Sequence, residues 1–110
     1  MNIRVICALS ILCAFASSAY AQTVAPGTTT PATITSIDAR DLGFDIHTSA
    51  TSSPMGCSWA NTFRIQPSMS NYNALVSTAL TLYTTGKQAT FYVYKCDTDG
   101  ASIVAAVGSQ

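Results

Sequence analysis

The chain contains no glutamate and only one histidine, and just 9% of its residues carry charge. Beyond the first few residues its cations are Arg40, Arg64, Lys87 and Lys95, scattered singly. Phosphate backbones are held by clustered Lys and Arg, so nucleic acid is excluded as the expected partner. Anionic lipid surfaces are excluded for the same reason, because their attraction is polybasic. The aspartates Asp38, Asp41, Asp45, Asp97 and Asp99 leave the exported part with one excess negative charge. Every glycine is isolated, so no loop of the phosphate-cradling kind exists. No apolar run approaches the ~20 residues that span a bilayer, so membrane insertion is not expected.

What is present begins with an address. Met1 to Arg4 is short and positively charged, Val5 to Phe15 is mostly apolar, and Ala16 to Ala21 is small and polar. This is the pattern of a secretory signal, with cleavage expected after Ala21. The expected organisation is a signal peptide over 1–21, a flexible N-terminal arm over 22–32, and one domain over 33–110. The arm is rich in Thr, Pro and Ala and reads as a linker or a strand added late. Location is then secreted or periplasmic. Cys7 and Cys13 leave with the signal, and Cys57 and Cys96 remain as an even pair in an oxidising compartment. The expectation is that they bond to each other, closing a loop that the chain-entropy account values at about 4 kcal/mol.

The best-specified stretch is Asn71 to Cys96. Tyr72, Leu75, Val76, Ala79, Leu80 and Tyr83 recur at steps of three and four, which places all six on one helical face. Ser70 or Asn71 is placed to cap the first turn, and Gly86 sits where a helix stops in a left-handed residue. The period then falls to two. Ala89, Phe91 and Val93 face one way and Thr90, Tyr92 and Tyr94 the other, which is a strand.

Upstream, Thr33 to Asp41 is a first strand in which the three-residue step from Ile34 to Ile37 implies a bulge. Phe44, Ile46 and Thr48 alternate with Asp45 and His47, giving a second strand with one wet face. A loop spans Ser49 to Trp59, and Ala60 to Gln66 is a third strand with Phe63 and Ile65 inward. After the helix and fourth strand, Asp97 to Gly100 is a turn. Ser102 to Val107 is a fifth strand, apolar on both faces, and so either buried on both sides or paired at an edge with another chain. The order is strand, strand, strand, helix, strand, strand. In a chain of this size it predicts a mainly β, five-stranded barrel of the OB-fold type with one helix plugging an end. The rival is an open α+β meander. The two differ in whether the first strand pairs with both the second and the fourth.

No catalytic constellation stands out. A nucleophile needs a base and a group to orient that base. The one histidine, His47, lies two residues from Asp45, within reach of it; a solvated strand face is the blander reading of that pair. The turn aspartates are expected to bond their own backbone, and Asp97 and Asp99 fall short of the 6–8 oxygens that calcium takes. No metal site, cofactor or enzymatic activity is expected. Aromatics with polar edges point instead to binding: Trp59, Tyr92 and Tyr94 are the candidate ligand-contact residues. For the tyrosines the alternative is covering the helix or filling a subunit seam. For Trp59 it is packing on the disulfide.

The segment Ala79 to Tyr94 resembles the helix-to-strand passage of the B subunits of subtilase-cytotoxin-type AB5 toxins, which also carry an aromatic, Thr-Thr-Gly and an alternating strand. The same layout occurs in many small exported bacterial proteins. The resemblance implies an OB-fold pentamer that binds cell-surface glycans beside a separate toxic subunit, with Ser77, Thr78 and Thr81 available to a seam. Two departures accompany it. Counting from Gly86, the sugar-contacting tyrosine of those subunits is replaced by Val93, and their disulfides lie before the helix whereas Cys96 lies after it. The functional expectation is a secreted, non-enzymatic, glycan-binding module. The alternative is a periplasmic accessory or structural protein that binds another protein through its edge strand.

Overall fold

A computed structural model describes residues 25–109. The expected signal peptide, Cys7, Cys13 and the start of the expected arm lie outside the described residues. The elements are β1 (Gly27–Thr28), β2 (Ala32–Arg40), β3 (Gly43–Thr48), β4 (Trp59–Ile65), α1 (Tyr72–Thr85), β5 (Gln88–Cys96) and β6 (Ala101–Ser109). Strand β2 pairs antiparallel with β3, and β3 with β4. Strand β4 runs parallel to β6, and β6 antiparallel to β5. Strand β5 returns to β2 through Ala32 opposite Ala89 and Thr33 opposite Gln88. The first long strand therefore pairs with both of the strands that distinguish a barrel from an open meander, and the wall closes on five strands. Its bulge lies where the sequence pattern broke, between Ile34 and Ser36.

Alternation explains what fills the barrel. Phe44, Ile46, Phe63, Ile65, Phe91 and Val93 take every second position and all turn inward. Phe63 and Phe91 stack with ring centroids 4.4 Å apart. Each such side chain contributes about 1.5–3 kcal/mol by leaving water. In β6 the register shifts between the pairs Tyr92–Ala106 and Val93–Val104. The extra residue lets Val104 stay buried while Val107 again faces the core side opposite Phe91.

Helix α1 plugs the barrel with Leu75, Ala79 and Leu82. This corrects the expected six-residue face. Leu80 is 38% and Tyr83 39% exposed, and Tyr72 and Val76 are half-buried. The helix is rolled so that Leu82 enters the core and one flank of the apolar stripe stays outside. Small Ala79 sits at the centre of the buried stripe, where close approach to the barrel needs little side chain. Asn71 takes the N-cap position, but its side chain makes no capping hydrogen bond. Gly86 ends the helix at φ 70°, the left-handed stop expected of it.

The last strand has two different halves. Ala101 to Val104 is buried and not an edge, because β4 and β5 flank its start. From Val104 onward only β5 pairs with it. The N-terminal segment adds a short pair: Gly27 lies opposite Val93 and Thr28 opposite Tyr92. Thr29 secures it, its N–H donating to the Phe91 carbonyl at 2.9 Å and its Oγ1 accepting from the Phe91 N–H at 3.1 Å. Cys57 and Cys96 form the expected disulfide, with Cα atoms 5.4 Å apart.

Candidate functional site

Because Phe91 and Val93 are fully buried, Tyr92 between them must point out of the barrel; Tyr94 follows at a register shift between Val93 and Lys95. Tyr92 is 39% exposed and Tyr94 is half-buried. The residues opposite Tyr92 on the two flanking strands are Thr28 and Ala106. Both are small, so neither covers the phenol. Next along the wall, Thr90 faces Gly108. The Lys95 ammonium lies 5.7 Å from the centre of the Tyr94 ring, within reach of a weak cation–π attraction. The outer face of β5 is thus an aromatic ledge among threonine, alanine and glycine, with one cation at its end. Val93, the position counted from Gly86 in the toxin-like pattern, is inside and unavailable to any ligand.

Trp59 is not part of this ledge. It starts β4, opposite Ala101, with β6 between it and β5. Its N–H donates to the Gly100 carbonyl at 3.0 Å. A Cβ at Gly100 would meet Ser58 Oγ at once and the Trp59 ring edge at 3.4 Å, so this glycine, at φ 104°, is what lets the turn lie against Ser58 and Trp59. The indole is 41% exposed and lies beside the Asp97–Gly100 turn.

That turn is anchored by a cluster the sequence pattern concealed. The expected wet face of β3 holds at His47, 28% exposed, but not at Asp45, which is 0% exposed, as is Arg64 opposite it on β4. Arg64 Nε and Nη2 donate to the two Asp45 oxygens at 2.6 and 2.9 Å. Its Nη1 donates to Asp97 at 2.9 Å and Asp99 at 3.0 Å, and Nη2 also lies 3.0 Å from Asp99. Arg40 reaches Asp45 more loosely, at 3.5 Å. One guanidinium therefore ties β3, β4 and the β5–β6 turn together in the forked geometry that suits carboxylates. The hydrogen bonds to Arg64 hold the Asp97 and Asp99 carboxyls below the usual carboxylate range, helped by the Thr98 and Ala101 N–H groups respectively. The turn aspartates do bond their own backbone, as expected, and bind Arg64 as well. Gly43 makes room for the arginine stem: a Cβ there would lie 2.6 Å from the Ile65 carbonyl oxygen and 2.9 Å from Arg64 Cγ.

His47 does not meet Asp45. Its Nε2 lies 3.2 Å from Asp38 Oδ2 and its Nδ1 3.1 Å from Thr62 Oγ1. Carboxylate, imidazole and hydroxyl follow in the order of a nucleophilic relay. The hydroxyl belongs to a residue only 3% exposed, and it donates to the neighbouring Asn61 side chain. The three groups lie on adjacent strands, β2, β3 and β4, and knit them together across the sheet.

Of the three predicted contact residues, Tyr92 and Tyr94 lie on β5, with Tyr94 at a register shift between Val93 and Lys95, and Trp59 lies apart at the start of β4. The residues sequence reasoning missed are Asp45 and Arg64. Their signal was faint but present: opposite charges at wall positions of two sequential strands, in a chain with few charges to place. The sequence matches no protein-family profile and no curated protein.

Proposed function

We propose that this chain is an exported, non-enzymatic binding module that takes a neutral polar ligand, a glycan, on the outer face of β5. The observation that carries this reading is Tyr92, 39% exposed on β5 and paired with small Thr28 and Ala106 on its two flanking strands. An aromatic ring fixed on a strand loses little freedom when a partner covers it. A sugar ring offers such a surface an apolar C–H face, and its hydroxyls suit the threonines beside it. The scarcity of charge around the ledge favours a neutral ligand over an ionic one. The Thr-Thr-Gly passage and barrel order support an AB5-type B subunit, and with it a ring of identical copies. Tyr92 and Tyr94 would then replace the contact that Val93 cannot make.

A glycan array with the purified protein is the direct test. Binding to a defined group of sugars, lost in Tyr92→Ala and weakened in Tyr94→Ala with unchanged melting temperature, is the expected result. Silence across both sialylated and neutral glycans would sink the reading. Light scattering decides the assembly separately, since a monomer at all concentrations excludes the ring while leaving the ledge untouched.

A further inference from the structure

The N-terminal arm and β2 lie against the same neighbour, β5, yet they are not one continuous strand. Ala32 and Thr33 pair with Ala89 and Gln88, and Gly27 and Thr28 pair with Val93 and Tyr92. Thr29 meets Phe91 through both of its hydrogen bonds. Thr30 and Pro31 are therefore left opposite the single residue Thr90, which is a bulge. Both are exposed, and Pro31 has no N–H to give to a ladder. A slip of one residue turns every side chain beyond it to the other face. Ala32 and Ile34 are buried, so an unbroken strand would bury Thr30 and Thr28 as well. The slip buries Thr29 instead, at 8% exposure, and leaves Thr28 outside. Thr29 is the only buried residue from Ala25 to Pro31. The arm is held by main-chain pairing and one threonine hydroxyl, and no apolar side chain anchors it.

We infer that residues 25–29 are an exchangeable strap: the edge of β5 from Phe91 to Val93 accepts the same segment from a second copy of this chain, each copy giving its arm and receiving the other's. The occupant is the one already seated there, because every contact that holds the arm within one chain is available unchanged between two. The ladder is interrupted at Thr30–Pro31, so the arm can swing away while the Ala32–Ala89 pair stays closed. Its departure uncovers main-chain groups and one threonine, which sets it at the low-stability end of the fold. The bared edge is then a template for another strand. The place beside Phe91 takes a small residue with an acceptor oxygen, as Thr29 supplies. From Pro31 to Gly27 the arm reaches about 16 Å when extended, enough to cross between two copies that meet at the bulge. In such a pair the threonine next to Tyr92 comes from the other copy. The inference does not rest on a ligand for the ledge, since it concerns the edge of β5 and not its outer face.

The test mixes two batches of the purified protein, one carrying Thr28→Cys and the other Tyr92→Cys, under mild oxidation. These positions face each other across the β1–β5 pair. Neither variant alone holds both new cysteines, so a bond between them reports an arm seated on another copy. Peptide mass spectrometry identifies that bond, and its yield is expected to rise with protein concentration. Light scattering of the unaltered protein is expected to show a monomer–dimer equilibrium over the same range. Leu42→Cys, 51% exposed at the other end of β2, mixed with Tyr92→Cys measures chance collision and is expected to give no bond. Adding Thr29→Pro to the Thr28→Cys chain removes the N–H that donates to the Phe91 carbonyl. That variant is expected to lose the crosslink while its circular dichroism and its Cys57–Cys96 bond stay unchanged. The proposal is overturned if no Thr28→Cys to Tyr92→Cys bond forms at any concentration. It is also overturned if the Leu42→Cys or Thr29→Pro chains crosslink as readily. A dimer of the unaltered protein in which the two positions never meet would overturn it too, by placing the contact on a different face.

Discussion

Arg64 shows how little a strand pattern says about the polar side of a wall. Three aspartates converge on it, and one of them, Asp45, has no water to fall back on. Removing the cation leaves a buried carboxylate with only the loose contact to half-exposed Arg40, so Arg64→Met should cost about 3–5 kcal/mol in urea unfolding. Adding Asp45→Leu should restore part of that loss, because well-packed apolar residues replace a buried ion pair at little cost. The same contacts set an acid limit. The Asp97 and Asp99 carboxyls are depressed in the fold, chiefly by Arg64. Their contribution is thus fully present above the ordinary aspartate value of about 3.9 and disappears as pH falls through the lower folded values. Unfolding followed by circular dichroism should show stability falling below about pH 4, and the slope should flatten in Arg64→Met. A slope unchanged by that substitution would mean that other groups govern acid unfolding. The buried state of Asp45 and Arg64 was illegible because alternation marks a face as polar without saying what covers it. The cover here is a turn more than thirty positions further along the chain.

At the scale of elements, legibility was uneven for a physical reason. Strands β3, β4 and β5 each have one apolar face, so a period of two reveals them and fixes Phe63, Ile65, Phe91 and Val93 as core. The stop at Gly86 was equally plain, since few residues other than glycine adopt that conformation cheaply. The roll of α1 was not plain. Leu80 and Tyr83 extend the apolar stripe past what the barrel mouth covers, while Tyr72 and Val76 pack partly against it, and the sequence does not say which edge of the stripe is left out. Leu82→Ala should therefore cost about 2–5 kcal/mol, while Leu80→Gln should fall within about 0.5 kcal/mol of the unaltered protein. Equal losses at the two positions, measured by the same denaturant titration, would place the helix in a different rotation. Strand β1 was legible only as one of two readings of the arm, because a two-residue pairing has no period to place it. The ledge was partly readable: Tyr92 and Tyr94 follow from alternation, whereas Trp59's distance from them depends on β6 passing between.

At the scale of the molecule, closure depends on strands far apart in sequence. The last strand joins β4 to β5, and the Cys57–Cys96 bond ties the loop before β4 to the end of β5. The bond closes the chain around β4, α1 and most of β5. Replacing both cysteines with alanine should lower stability by about 2–4 kcal/mol, read from denaturant midpoints. It should also slow refolding, since the pairings it holds near one another are non-local. An unchanged midpoint would mean that the Arg64 cluster alone fastens the turn.

The pairing of Thr28 with Tyr92 has a practical consequence for anyone handling the protein. An affinity handle placed close before Gly27 would crowd the phenol, because β1 meets β5 at Val93 and Tyr92. One placed close after β6 would crowd the cavity that Ser77, Thr81 and Ser109 line. Each surface should therefore be probed on material labelled at the opposite terminus, and a blank result from a single fusion says nothing about the face it hides.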